Sequence, residues 1–178
     1  LATSLGVTAA STSQIRLSWS NVAGESGYRI ERSSDGSTGW SVIGTAAANV
    51  ISFTDTGLTT DTPYFYRVTA YNDSGSAASS TVQTTRTLIA APVNLTAVAP
   101  STSQVNLTWT DSTNETGYVI ERSLNNGSTW ATLASLAANT TSYSNTGLVA
   151  GTIYAYRVRA LNAGGPSEPG IKATVTTI

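Results

Sequence analysis

Histidine, cysteine and methionine are absent from this chain of 178 residues, and lysine occurs once, as Lys172. Each absence removes a class of chemistry. Without cysteine there is no disulfide framework, no thiol nucleophile and no thiolate metal site. Without histidine the commonest general base and the commonest metal ligand are both missing, so the many serines cannot form a Ser–His–Asp triad. Charge is also sparse: nine basic and ten acidic residues, 11% of the chain, give a net charge of −1. The arginines are scattered, which leaves no basic field to hold a phosphate backbone or an anionic bilayer. No apolar run approaches the roughly 20 residues that span a bilayer. Nucleic-acid binding and membrane insertion are not expected. No signal-peptide pattern is visible and the chain starts at Leu1 rather than Met, which reads as a processed product or a piece of something longer.

What is plentiful is serine and threonine, about three residues in ten. Soluble domains usually carry about a quarter of charged residues. A hydroxyl-rich surface with almost no lysine points to secreted or cell-surface material.

The organising signal is self-similarity. Ser11-Thr12-Ser13-Gln14 recurs 90 residues later as Ser101-Thr102-Ser103-Gln104. At the same offset Leu17-Ser18-Trp19 becomes Leu107-Thr108-Trp109, and Gly27-Tyr28-Arg29-Ile30-Glu31-Arg32 becomes Gly117-Tyr118-Val119-Ile120-Glu121-Arg122. Trp40 falls on Trp130, Thr56-Gly57-Leu58 on Thr146-Gly147-Leu148, and Tyr64, Tyr66, Arg67 and Val68 on Tyr154, Tyr156, Arg157 and Val158. After Asn72 and Asn162 the register is less certain. Within each copy the period is two: Ile15, Leu17 and Trp19 alternate with Arg16 and Ser18, and Tyr64, Tyr66, Val68 and Ala70 alternate with Phe65, Arg67 and Thr69. Such alternation marks strands with one face buried and one wet. Turn signals separate them, among them Asp35-Gly36, Asn126-Gly127 and Gly164-Gly165-Pro166. Many short strands at even spacing predict an all-β fold, a sandwich or barrel in two copies.

The string Leu58-x-x-x-Thr62-Pro63-Tyr64-Phe65-Tyr66-Arg67-Val68-Thr69-Ala70-Tyr71-Asn72, with Trp19 upstream and Gly27-Tyr28 opening a third strand, resembles the fibronectin type III domain. The second copy repeats it from Leu148 to Asn162, after Pro92-Val93-Asn94-Leu95 as a module opening. The resemblance implies two seven-stranded antiparallel β-sandwiches, at 1–87 and 94–178, joined by a short linker at 88–93. It implies that Trp19, Tyr28, Trp109 and Tyr118 sit in the cores. Tyr64 and Tyr154 become corner tyrosines whose hydroxyls bond backbone near Leu58 and Leu148. No arginine is followed by glycine, so an Arg-Gly-Asp tripeptide is absent and an integrin role has no support. The style resembles modules of bacterial or archaeal secreted proteins.

Candidate sites are few. Glu31 and Glu121, one per copy, cannot easily converge on one substrate, and are expected to face Arg67 and Arg157 as outward cross-strand ion pairs worth less than ~1 kcal/mol each. The aspartates do not reproduce a calcium loop, and no catalytic residue, metal site or cofactor is expected. Phe65 and Tyr71, flanking Arg67, form a candidate recognition face confined to the first module, because their counterparts are Ala155 and Leu161. A cover of neighbouring loop or module is the blander alternative. Asn72, Asn94, Asn106, Asn114, Asn126 and Asn139 each head an Asn-x-Ser/Thr sequon; six of eleven asparagines do so, against about three by chance at this Ser/Thr content.

Leu88 and Ile89 are expected to pack into the junction and stiffen it into a rod. Leu1 aligns with Ala91 and Ile178 with Leu88, so the chain stops where linkers begin, as a segment of a longer string or a head-to-tail subunit would. Three non-catalytic readings stay open, in order: a stiff spacer in a secreted or surface protein, a self-assembling subunit of an extracellular filament or surface layer, and a carbohydrate- or protein-binding module. The expected partners are neighbouring modules or copies of the same chain, with glycan as a further candidate.

Overall fold

The period-two segments become strands, and the 90-residue repeat becomes two units with the same strand plan. The computed structural model describes residues 4–178; Leu1, aligned above with Ala91, lies outside the described residues. The chain divides after Leu88, with the second unit beginning at Ile89. In the first unit β1 (Leu5–Ala9), β2 (Ile15–Trp19) and β5 (Ser52–Asp55) form one antiparallel sheet in the order β1-β2-β5. The facing sheet runs β4 (Ser41–Ala47), β3 (Gly27–Ser33), β6 (Pro63–Asn72) and β7 (Gly75–Ser76), with β8 (Gln83–Arg86) also on β6. The second unit repeats the plan with β9 (Thr96–Ser101), β10 (Gln104–Thr108) and β13 (Ser142–Thr146) in one sheet. Its facing sheet holds β12 (Ala131–Ala137), β11 (Gly117–Ser123), β14 (Ile153–Asn162), β15 (Gly165–Pro166) and β16 (Ala173–Thr176).

The expected seventh strand arrives in two pieces, β7 and β8, because serine replaces part of the ladder between them. Ser80 Oγ accepts the Val68 amide at 3.0 Å while the Ser80 amide bonds the Val68 carbonyl. The second unit does the same with Ser167, whose Oγ accepts the Ala160 amide at 3.1 Å. Past Asn72, where the sequence left the register uncertain, the 90-residue offset holds: Ala77 bonds Ala70 as Ser167 bonds Ala160, and Ser80 bonds Val68 as Gly170 bonds Val158.

Each core fills the space between two sheets. In the first, Ile15, Leu17 and Trp19 from β2 meet Tyr28 and Ile30 from β3 and Tyr66, Val68 and Ala70 from β6. Trp19 tilts onto Tyr28 at 5.4 Å between centroids, and Trp109 onto Tyr118 at 5.5 Å. Full burial of such side chains is worth a few kcal/mol each. The Tyr28 hydroxyl donates to Asn21 Oδ1 at 2.6 Å and accepts the Val22 amide, so its polar end is satisfied. The indole nitrogens of Trp19 and Trp109 are buried without a hydrogen-bond partner among the described residues. The corner tyrosines close the other end: Tyr64 accepts the Thr59 amide at 3.0 Å and Tyr154 the Val149 amide at 3.1 Å. Residues 88–93, read from sequence as a linker, divide in the structure. The Leu88 amide bonds Ser11 in the first unit, whereas Ile89 joins the core of the second.

One buried polar position differs between the copies. Asp55 accepts two bonds from Arg32 Nη1 at 3.1 and 2.9 Å and one from the Tyr66 hydroxyl at 2.9 Å. In the second unit Asn145 stands there, and its Nδ2 donates to Tyr156 at 2.9 Å. Removing one partner of such a buried group costs more than exchanging it for a neutral group of the same shape. Asp55→Ala should therefore destabilise the first unit by about 2–3 kcal/mol and Asp55→Asn by about 1 kcal/mol or less. Urea unfolding followed through amide signals of each unit measures both; equal losses would contradict the assignment.

Candidate recognition surface

Residues of β6 that point away from the core share one face with those of β3, and the register places Glu31 directly opposite Arg67. Arg67 grips it with Nε and Nη2, at 3.1 and 3.0 Å, and lies over the Trp40 ring at 4.4 Å. Arg29 Nε approaches the same carboxylate at 3.6 Å. The second unit pairs Glu121 with Arg157 at 2.6 Å and with Arg159 at 3.1 Å, and Arg157 lies over Trp130 at 4.3 Å. The expected cross-strand pairs are present, but the face is less wet than the alternation implied. Glu31 retains only 7% exposure beneath this cover. The sequence reading missed Trp40 and Trp130 as the lids. Their recurrence at the repeat offset, each just ahead of a strand, was the available signal.

The second guanidinium changes strand between copies. In the first unit Arg29 on β3 is register partner of Thr69 on β6; in the second Val119 on β11 is partner of Arg159 on β14. The arginine has crossed the ladder, yet each carboxylate keeps two positive neighbours. Hydrogen bonding from Arg67 is the chief reason Glu31 is held below its usual pKa. For Glu121 burial pushes upward, but hydrogen bonds and charge from Arg157 and Arg159 outweigh it and the net direction is also down.

Phe65 and Tyr71 lie on this face at either side of Arg67, both half-buried. The Phe65 ring covers Gly36: a Cβ there would sit 2.6 Å from it. Tyr71 covers Gly27 in the same way, its hydroxyl 2.7 Å from the Cβ position. Arg67 is committed to Glu31 and Trp40, so the three do not converge on a common ligand position. In the second unit Ala155 at the Phe65 position is fully buried. Tyr71 also borders a pocket of about 270 Å³ between the β2–β3 loop and the β6–β7 turn.

The sequons have a conformational explanation. Asn94, Asn114, Asn126 and Asn139 all adopt positive φ, between 55° and 64°, where asparagine is tolerated far better than most residues. Gly24 and Gly36 hold the same conformation at the positions matching Asn114 and Asn126. Asn72 donates Nδ2, the atom a glycan would occupy, to the Gly24 carbonyl, and Asn94 donates its own to Thr110. Asn106 is half-buried in β10, where its Oδ1 accepts from Gln104 and Ser144. Among the described residues no cluster of three or more acidic side chains could hold a metal ion.

Because both glutamates are depressed in the folded state, their contribution is in place above the unfolded value near 4.5 and is lost as pH falls through the folded values. Glu31→Gln and Glu121→Gln should each cost about 1–2 kcal/mol at neutral pH and flatten the acid limb of the stability–pH curve. Thermal melts from pH 7 to pH 3 test this. An acid limb unchanged in the double variant would contradict it.

Comparison with known proteins accords with this architecture. A model of the fibronectin type III domain matches residues 2–86 and again residues 90–176. The chain is 34% identical over 177 residues to chitinase A1 of Niallia circulans, covering 92% of this chain and 23% of that protein. It is 37% identical over 149 residues to exoglucanase B of Cellulomonas fimi, covering 74% of this chain and 13% of that one. A poly(3-hydroxybutyrate) depolymerase of Ralstonia pickettii is 34% identical over 88 residues, 49% of this chain and 16% of the enzyme. The chain thus spans less than a quarter of each of these relatives. Among solved structures, the FN1–FN3 domains of chicken CNTN1 superpose with a TM-score of 0.63 at 18% identity, over 99% of this chain and 67% of that one. A two-domain segment of chicken tenascin gives 0.50 at 20% identity, over 98% and 99%. With the sandwich, the corner tyrosines and both matches in register, the chain belongs to the fibronectin type III domain family, as two tandem members.

Proposed function

We propose that this chain is a non-catalytic structural pair that spaces and positions the other domains of an extracellular polymer-degrading protein. The observation that carries this reading is the diversity of the relatives. Segments like this one occur in a chitinase, an exoglucanase and a polyester depolymerase, each of which is mostly other sequence. A part common to three chemistries is not the part that performs any of them. The residue inventory agrees: with no histidine or cysteine and with Glu31, Asp55 and Glu121 tied to arginines, the chain has little from which to assemble acid–base or nucleophilic catalysis. The same names support an extracellular location, since chitin, glucans and polyesters are polymers too large to cross a membrane. The partners proposed are the neighbouring domains of one polypeptide.

Light scattering with negative-stain electron microscopy tests the reading. The spacer account expects a monodisperse monomer of 18.4 kDa that releases no soluble product from chitin, cellulose or poly(3-hydroxybutyrate). Ordered fibres or sheets would replace it with the self-assembling subunit. Product release that tracks the purified chain would overturn it.

A further inference from the structure

Independently of the spacer reading, the loop between β11 and β12 carries a covalent chemistry of its own. Asn126-Gly127 is the one place in the chain where asparagine precedes glycine. Asn126 is exposed and adopts φ of 55°, and Gly127 follows at 95°. Gly127 has no Cβ to shield its nitrogen; one there would sit 3.1 Å from the Trp130 ring and 3.4 Å from Lys172 Nζ. Lys172, the only lysine, reaches this loop from just ahead of β16. Its Nζ donates to the Asn126 backbone carbonyl at 2.7 Å and to Asn126 Oδ1 at 3.1 Å. One ammonium therefore bridges both oxygens of the asparagine. The first unit has no equivalent, because Gly36, Ser37 and Val82 stand where the second has Asn126, Gly127 and Lys172.

We infer that Asn126-Gly127 is a self-modification site, where Lys172 promotes closure of the asparagine side chain onto the next backbone nitrogen. The Gly127 amide first loses its proton to solvent base, and its nitrogen then adds to Asn126 Cγ. The new N–Cγ bond forms, the Cγ–Nδ2 bond breaks, and Nδ2 leaves as ammonia with a proton from water. Water opens the resulting succinimide at either carbonyl, giving aspartate or isoaspartate; nothing is oxidised or reduced. Negative charge develops on the Asn126 carbonyl oxygen when the Gly127 amide ionises, and on Oδ1 when the nitrogen adds. Those are the two atoms that Lys172 holds, and a cation fixed where charge develops favours the intermediate over the resting amide. The Ser123 hydroxyl is the opposing restraint, because it accepts the Gly127 N–H at 2.8 Å and that bond must open first. Conversion removes the Asn126 sequon and, in the aspartate product, places a carboxylate beside Lys172.

The test is incubation of the whole folded chain at neutral pH, with peptide mapping by mass spectrometry at intervals. Conversion of amide to acid is expected at Asn126, as a mixture of aspartate and isoaspartate, ahead of Asn139, which is also exposed and in a left-handed turn but precedes threonine. Lys172→Gln removes the charge from an exposed side chain, so the fold is retained, and the rate should fall roughly tenfold; water around the site keeps the effect below that of an enclosed one. Lys172→Arg keeps a cation and should restore most of the rate. Added salt should slow the native chain and leave Lys172→Gln unchanged. No conversion at Asn126, aspartate as the sole product, an equal rate in Lys172→Gln, or a native rate indifferent to salt would each overturn the inference.

Discussion

A carboxylate covered on the outer face of a β-sheet sets the terms for the rest of each domain. Glu31 lies opposite Arg67, and Glu121 opposite Arg157, in the pair of strands that also carries the inward tyrosines. Side chains alternate, so a slip of one residue between β3 and β6 would place Arg67 over the core and Tyr66 in water. The ion pair and the aromatic core thus specify the same register from opposite faces. Leaving such a carboxylate beneath its cover without a guanidinium would cost several kcal/mol, more than the pair itself contributes. The exchange of Arg29 for Arg159 across the ladder is what that constraint predicts. The second cation can change strand, but the carboxylate is not left with one.

This arrangement also explains why the broad face of the sheet is a poor place for ligand chemistry. Arg67 and Arg157 are spent on carboxylates and tryptophans, and Phe65 is spent on Gly36. At the loop end Tyr71 covers Gly27 and Glu25 holds the Asn49 amide, as Glu115 holds the Asn139 amide in the second domain. Strands and core are common to both domains, while Tyr71 of the first is replaced by Leu161 in the second.

The fold was legible in the sequence because the repeat shows twice which positions matter. Trp19, Tyr28, Tyr64 and their counterparts fall on the inward phase and are found in the cores or at the corners. Less legible was anything set by contacts between distant segments. Alternation marks Glu31 as outward, but that it is buried depends on Trp40 folding over Arg67 from a different strand connection. The split of the last strand rests on single serine hydroxyls that substitute for ladder acceptors, which no periodicity reveals. The excess of sequons has a local counterpart in the fold: left-handed turn positions take asparagine, and in a chain so rich in serine and threonine many such residues head the triplet by composition. The pocket was invisible because it joins residues far apart in sequence, only one of which, Tyr71, stood out.

Two self-contained domains should resist extension separately. Single-molecule stretching of the chain between handles measures this most directly. The account predicts two discrete unfolding events, each releasing roughly 30 nm, the extended length of one domain's chain less its folded span. A single joint event, or a smooth extension without discrete steps, would contradict it.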